Sequence, residues 1–342
     1  MGIVSGAGEL AGYVLRLVSG TVVDRTRAYW TLTIIGYIIN LGAVPLMALS
    51  NHWAIAAALI IAERSGKAIR TPARDVMLSQ AANIIGRGWG FGLHEFMDQI
   101  GAFLGPLVVA LVVTETHHYP RAYALLAIPA ALALATLFAS IKAYPDPARF
   151  EEPKPHETHV DHDFPREFWI YVVAASLLAA GFVDYPLMAF HFHRTNLVPP
   201  GGIPIFYAVA MGIEALMALL FGHLFDRIGT SALIAGAMLS AASSPLVFFG
   251  SFYPALAGVA LWGAGMGAQQ STLRARIAEL VPADRRGSAY GVFNTAYGIL
   301  WFAGSSAIGI LYGRSLTAAV AFAVIAQVAA MPLLWMVRRK HV

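Results

Sequence analysis

Apolar runs of about twenty residues follow one another from end to end of this 342-residue chain. Each is long enough to cross a hydrocarbon layer of roughly 30 Å. Inside such a layer the backbone must satisfy its own hydrogen bonds, so runs of this length fold as helices. The short alternating segments of a membrane β-barrel do not occur. Only 12% of the residues are charged and 58% are hydrophobic, whereas a soluble domain carries about a quarter charged residues. The polar residues are too few to cover a soluble globule of this length. The expected fold class is therefore all-α: a polytopic membrane helix bundle, multi-pass in the cell membrane, with the lipid bilayer as its surroundings.

The runs predict eleven spans, at about 3–23, 30–49, 53–76, 89–113, 121–142, 167–190, 204–225, 230–249, 252–275, 288–312 and 315–337. Residues 143–166 are polar, proline-rich and mixed in charge, and they predict a solvated linker between two halves. The expected domains are a bundle at 1–142, the cytoplasmic linker, and a second bundle at 167–342. One set of alternating connections holds seventeen Lys and Arg residues, the opposite set only Arg121, Arg194 and Arg314. The basic side faces the cytoplasm by the positive-inside rule, which puts the linker and the C-terminus there. The net charge of +4 resides in these connections, not on a nucleic-acid face. The chain has no cysteine, which excludes disulfides and thiolate metal sites. No cleavable signal peptide is evident.

Two short patterns repeat. Gly20-x3-Asp24-Arg25 recurs as Gly222-x3-Asp226-Arg227, and Arg87-Gly88-x-x-Phe91-Gly92 recurs as Arg286-Gly287-x-x-Tyr290-Gly291. Both recur at nearly the same offset, and both lie at cytoplasmic helix junctions. A duplicated bundle is the simplest source, and parallel repeats are one architecture of transporters.

Ionisable side chains inside an apolar span cost a few kcal/mol or more each, so they face a cavity or a partner. Span 53–76 carries Glu63, Arg64, Lys67 and Arg70, followed by Arg74 and Asp75 at its interfacial cytoplasmic end. Glu63, Lys67, Arg70 and Arg74 share one helix face. Span 89–113 places His94, Glu95 and Asp98 within about one turn, and the first span places Glu9 and Arg16 on one face. The second half is sparser, with Asp184, Glu214, Gln269, Gln270 and Asn294. Glu63, His94, Glu95, Asp98 and Glu9 are the candidates for protonation. Arg16, Arg64, Lys67 and Arg70 are candidate counter-charges or substrate contacts, together with the five polar residues of the second half. Static salt bridging between helices is the competing reading of the same residues. His156, His159 and His162 have the spacing of a helical metal site, but they lie in the charged linker, so no metal site is expected. His117, His118, His191 and His193 read as interfacial.

The two Gly-x3-Asp-Arg loops resemble the signature loop of the major facilitator superfamily. The resemblance implies that Gly20, Asp24 and Arg25, with Gly222, Asp226 and Arg227, form a conformational latch. In the first copy Arg27 and Ala28 stand where the pattern has Gly and a basic residue. Gly92-x8-Gly101-x3-Gly105-Pro106 resembles the superfamily's antiporter motif, a tight-packing helix face, with Val109 and Ala110 in place of a final Gly pair. Arg64, Lys67 and Ala68 partly resemble an Arg-x-x-Gln-Gly motif implicated in proton transfer. The segments Ala68–Asp75 and Gly90–Asp98 resemble members of the drug-exporter-like prokaryotic branch.

The resemblance implies two pseudo-symmetric six-helix halves and alternating access. It implies proton-coupled export of a small organic or amphipathic solute, driven by the proton gradient without a cofactor, by an expected monomer. Uptake of sugars or organic anions with protons is the first alternative, and a non-transporting membrane scaffold or sensor the second. No nucleophile elbow, zincin motif or phosphate loop points to an enzyme. The first signature loop begins about twenty residues into the chain, where the superfamily has two helices before it. The family's first helix is therefore expected to be missing from this sequence.

Overall fold

The computed structural model describes residues 2–150, 163–199 and 201–338, without the side chains of residues 2–11, 148 and 150. The expectations for the Glu9 side chain and for His156, His159 and His162 fall outside the described residues.

All regular structure among the described residues is helical, in eleven rods and a separate 3₁₀ turn at Pro147–Phe150. They are α1 (Gly2–Thr26), α2 (Tyr29–Leu46) with the 3₁₀ turn Met47–Leu49, α3 (Trp53–Ala81), α4 (Arg87–Thr116), and α5 (Tyr119–Leu125) continued by α6 (Ala127–Ala143). There follow α7 (Arg166–Gly181) continued by α8 (Tyr185–Arg194), α9 (Gly202–Ile228), α10 (Thr230–Phe249), α11 (Phe252–Leu280), α12 (Arg286–Arg314) and α13 (Leu316–Met336). Eight stretches are long and apolar enough to cross a membrane. Helices α1, α3 and α11 are not among the eight, because charged and other polar side chains dilute their hydropathy. At 25, 29 and 29 residues and about 1.5 Å per residue they still exceed a hydrocarbon core.

Two spans expected to be continuous are broken, each by a proline. Pro129 and Pro186 cannot donate to the carbonyls of Leu125 and Phe182, so the helical ladder fails there. The rod 119–143 pauses at Leu126, and the rod 166–194 opens at residues 182–184. Asp184 sits in that gap with an extended backbone, φ −74° and ψ 141°.

The chain forms two compact units that do not follow chain order. One comprises residues 1–81, 102–158 and 282–295, the other residues 82–101, 159–281 and 296–342. In the first unit, α3 packs on α1 and α2. Gly36 and Gly66 let α2 and α3 cross so closely that a methyl group on either would strike the other helix's backbone. In the second unit α11 packs between α9 and α10, again through small residues: Gly263 meets Ala210, and Gly265 meets Ser240. Its core is aromatic, with Phe182, Phe192, Phe206 and Trp262 buried. Large apolar side chains such as Leu111, Leu132, Ile205 and Ile325 are exposed. That is the arrangement hydrocarbon surroundings allow.

Candidate functional site

The paired loop motifs interlock. In the first unit, both carboxylate oxygens of Asp24 accept backbone N–H groups at the start of α12, from Gly287 at 2.7 Å and Ser288 at 2.6 Å. In the second unit, Asp226 accepts from Gly88 and Trp89 at the start of α4, both at 2.8 Å. An anion at a helix N-terminus satisfies orphan donors and meets the positive end of the helix dipole. The glycines make the approach possible. A methyl group at Gly20 would collide with the Gly287 carbonyl, and one at Gly222 with the Gly88 carbonyl. Each acid-bearing copy of one motif thus holds the Arg-Gly copy that lies in the opposite half of the sequence. The repeats were visible in the sequence; their reciprocal pairing was not, although an acid motif and a bare helix start are complementary chemistry.

The first-unit charges are satisfied locally. Glu63 accepts from Asn40 Nδ2 at 2.8 Å and lies 3.4 Å from Arg64 Nε. The Arg70 guanidinium stands 4.1 Å above the Tyr37 ring, and that of Arg16 5.1 Å from the Tyr13 ring. Lys67 is exposed. Asp75 is fully buried against Arg74 at 2.7 Å. Proline 72 is tolerated within α3 at this level. Asn294 donates to the Tyr290 carbonyl one turn back on α12 and reaches no other helix by that bond.

In the second unit the cluster expected at His94, Glu95 and Asp98 divides. Glu95 is 3% exposed, His94 is half-buried, and Asp98 is exposed yet near enough to Glu214 for their charges to interact. Glu95 meets Glu214 of α9, which is 2% exposed. Gln99 joins them: its Nε2 donates to Glu95 Oε1 at 3.1 Å and to Glu214 Oε1 at 2.8 Å. Gln99 went unnoticed in the sequence because a single amide carries no motif. Its only signal is the i,i+4 spacing from Glu95. Gln269 is fully buried and accepts from the Tyr297 hydroxyl at 3.4 Å, while Gln270 accepts from Arg274 at 3.0 Å.

The tight face expected at Gly92, Gly101, Gly105 and Pro106 forms at its first position alone. Gly92 packs on the Ala218 backbone, whereas nothing described lies within 4 Å of the space in front of Gly101 or Gly105. The flanking Phe103, Leu104 and Leu107 are exposed there, so no neighbouring backbone uses the small residues. His191, expected to be interfacial, is buried and pairs with the Tyr312 hydroxyl at 2.9 Å.

The gap between α7 and α8 opens a cavity of about 910 Å³ in the second unit, lined by Asp184, Tyr185, Phe190, Tyr207, Trp262 and Trp301 among others. Asp184 does not cap α8. Its carboxylate accepts from Trp301 Nε1 at 2.8 Å and from the Ser305 hydroxyl.

Comparison with known proteins agrees with the fold. The Major Facilitator Superfamily profile matches residues 1–305. An uncharacterised protein of Mycobacterium tuberculosis (strain ATCC 25618 / H37Rv) is 36% identical over 353 residues, covering 100% of this chain and 85% of the relative. The crystal structure of the human organic anion transporter MFSD10 superposes with a TM-score of 0.76 at 13% identity, over 98% of this chain and 83% of that one. That of the superfamily transporter FucP in the outward conformation superposes with a TM-score of 0.70 at 11% identity, over 99% and 90%. The chain belongs to the Major Facilitator Superfamily, and it is a multi-pass membrane transporter of small molecules.

Proposed function

We propose that this transporter couples export of a small organic or amphipathic solute to proton entry, and that Glu95, Gln99 and Glu214 form its proton site. The observation that carries the reading is the amide shared by two buried carboxyls. Among the described residues neither Glu95 nor Glu214 takes part in a salt bridge, unlike Asp75 with Arg74 or Glu279 with Arg276. Static ion pairing therefore does not account for them. A carboxyl pair of this kind can hold one proton between its members. The amide serves both states. Its N–H groups donate to carboxylates, and its Oε1, buried without a partner among the described residues, can accept the O–H of a protonated acid. One carboxyl comes from each half of the sequence, so a change in the packing of α4 on α9 changes proton affinity. That link between position and protonation is what coupling requires.

The clamps at Asp24 and Asp226 supply the second element of the reading, a contact that must break and re-form during alternating access. The remaining ionisable residues, including Glu63, Arg16 and Arg70, act as supports of the bundle in this reading.

Proteoliposomes test it. With an imposed pH gradient and a panel of amphipathic organic solutes, solute should move against the direction of proton flow. Glu95→Gln and Glu214→Gln should each remove the gradient-driven component while leaving exchange down a solute gradient. Solute and protons moving together would sink the export reading; an unchanged gradient response in both variants would sink the proton site.

A further inference from the structure

Among the described residues that line the cavity at the α7–α8 gap, Asp184 is the only acid, and no Lys, Arg or His shares the lining. Its two partners, the Trp301 indole and the Ser305 hydroxyl, are neutral donors, so they orient the carboxylate and leave its negative charge uncancelled. Two of the rings around it have spent their own donors elsewhere. Trp262 Nε1 donates to the Val183 carbonyl at 2.8 Å, and the Tyr185 hydroxyl to the Ile203 carbonyl at 2.6 Å. Both rings belong to the cavity lining. Tyr185 and Tyr207 lie 4.7 Å apart between centroids, and Tyr185 and Trp262 6.1 Å apart. Ring faces are electron-rich and attract cations within about 6 Å of the centroid.

An anion entering here would meet a carboxylate and no positive charge. A sugar would lose water and find too few free donors and acceptors to replace it. A compact inorganic cation would lose most of its hydration against ring carbon. A cation whose charge is spread over an apolar body loses little water and meets both a counter-charge and ring faces. A volume of about 910 Å³ falls within the usual range for drug-sized ligands.

We propose that this cavity binds a lipophilic organic monocation, with Asp184 as counter-charge and Tyr185, Tyr207, Trp262 and Trp301 as its walls. The proposal names the substrate class of the transporter described above and rests on that reading for its place in transport. Binding itself needs no gradient, so the two ideas fail separately.

The probe is radiolabelled tetraphenylphosphonium, measured by scintillation proximity on the full chain immobilised in detergent. Excess unlabelled probe defines the saturable part. Wild type should bind saturably, and tetraphenylarsonium should displace the probe. Tetraphenylborate, of the same shape and opposite charge, should not. Asp184→Asn should weaken binding at least ten-fold, and Asp184→Glu should retain it. Trp262→Leu should weaken binding with Asp184 in place. Equal displacement by tetraphenylborate, or no saturable binding in wild type, overturns the proposal without any variant having to fold. So does undiminished binding in a monodisperse Asp184→Asn protein. Saturable binding that survives in Glu95→Gln, with gradient-driven flux lost, supports both ideas. Gradient-driven flux of other solutes without tetraphenylphosphonium binding overturns this one alone.

Discussion

Arg27 and Gly229 close the same helical end in the two repeats. Each donates its N–H to the carbonyl four residues back, Val23 and Phe225, at 2.8 Å. Each has positive φ, 51° at Arg27 and 60° at Gly229. Gly229 adds ψ −140°, a region open to glycine alone. The departure of the first copy from the motif is therefore a departure in side chain, with the left-handed turn kept at a strain of about 1–2 kcal/mol. Gly229→Ala should lower the apparent melting temperature in detergent by an amount equivalent to ~1–3 kcal/mol. Arg27→Gly should leave it unchanged or raise it slightly, since relief of strain is offset by added freedom in the unfolded chain. A larger loss from Arg27→Gly than from Gly229→Ala would refute this account of the turns. Gln99 is the second residue whose role was invisible in the sequence. Glu95 and Glu214 were both singled out as ionisable, but α4 and α9 had to be packed before one amide could be seen serving both. Gln99→Leu leaves two buried acids without their shared donor. It should destabilise the protein by about 1–3 kcal/mol, read as thermal loss of monomer on size-exclusion chromatography; full stability would show that water or another group replaces it.

At the scale of elements, the hydrophobic runs located all eleven rods, and α10 begins and ends where the runs do, at Thr230 and Phe249. Run length is a one-dimensional property and survives into the fold. The interruptions at Leu126 and at residues 182–184 were missed. Proline is common inside these helices, as at Pro45, Pro245 and Pro332 without a break, so proline alone does not announce one. Helix pairing was missed for the same reason as Gln99. Gly20 and Gly222 were read as permitting close approach, but the identity of the approaching helix depends on the whole bundle. Gly20→Val should force α1 and the start of α12 apart. The chain has no cysteine, so a single Ser288→Cys reporter carries no background labelling. Its reaction with a maleimide should be several-fold faster in the Gly20→Val protein than in the otherwise native one. Equal rates would mean that the clamp does not control access to this junction.

For the molecule as a whole, the strongest prediction concerns orientation. Six of the seventeen basic residues that bias the connections belong to the clamps and their neighbours: Arg25, Arg27, Arg87, Arg227, Arg285 and Arg286. Each adjoins a helix start or end in the structure. Such positions put the charges at the membrane boundary, where the positive-inside rule applies most strongly. The rule then places both clamps and the chain beyond α13 on the cytoplasmic side. It places the junction of α12 and α13, at Arg314 and Ser315, on the opposite side. A fluorescent-protein fusion after Arg338 should therefore be bright and an alkaline phosphatase fusion there inactive. Phosphatase inserted at the α12–α13 junction should be active. The reverse pattern would invert the assignment of both clamps, and closing them would then seal the outer mouth. A mixed pattern, with activity at both positions, would mean that the seventeen-to-three bias does not set a single orientation. In that case the direction of transport would have to be measured separately for each inserted population before any coupling to Glu95 and Glu214 could be read.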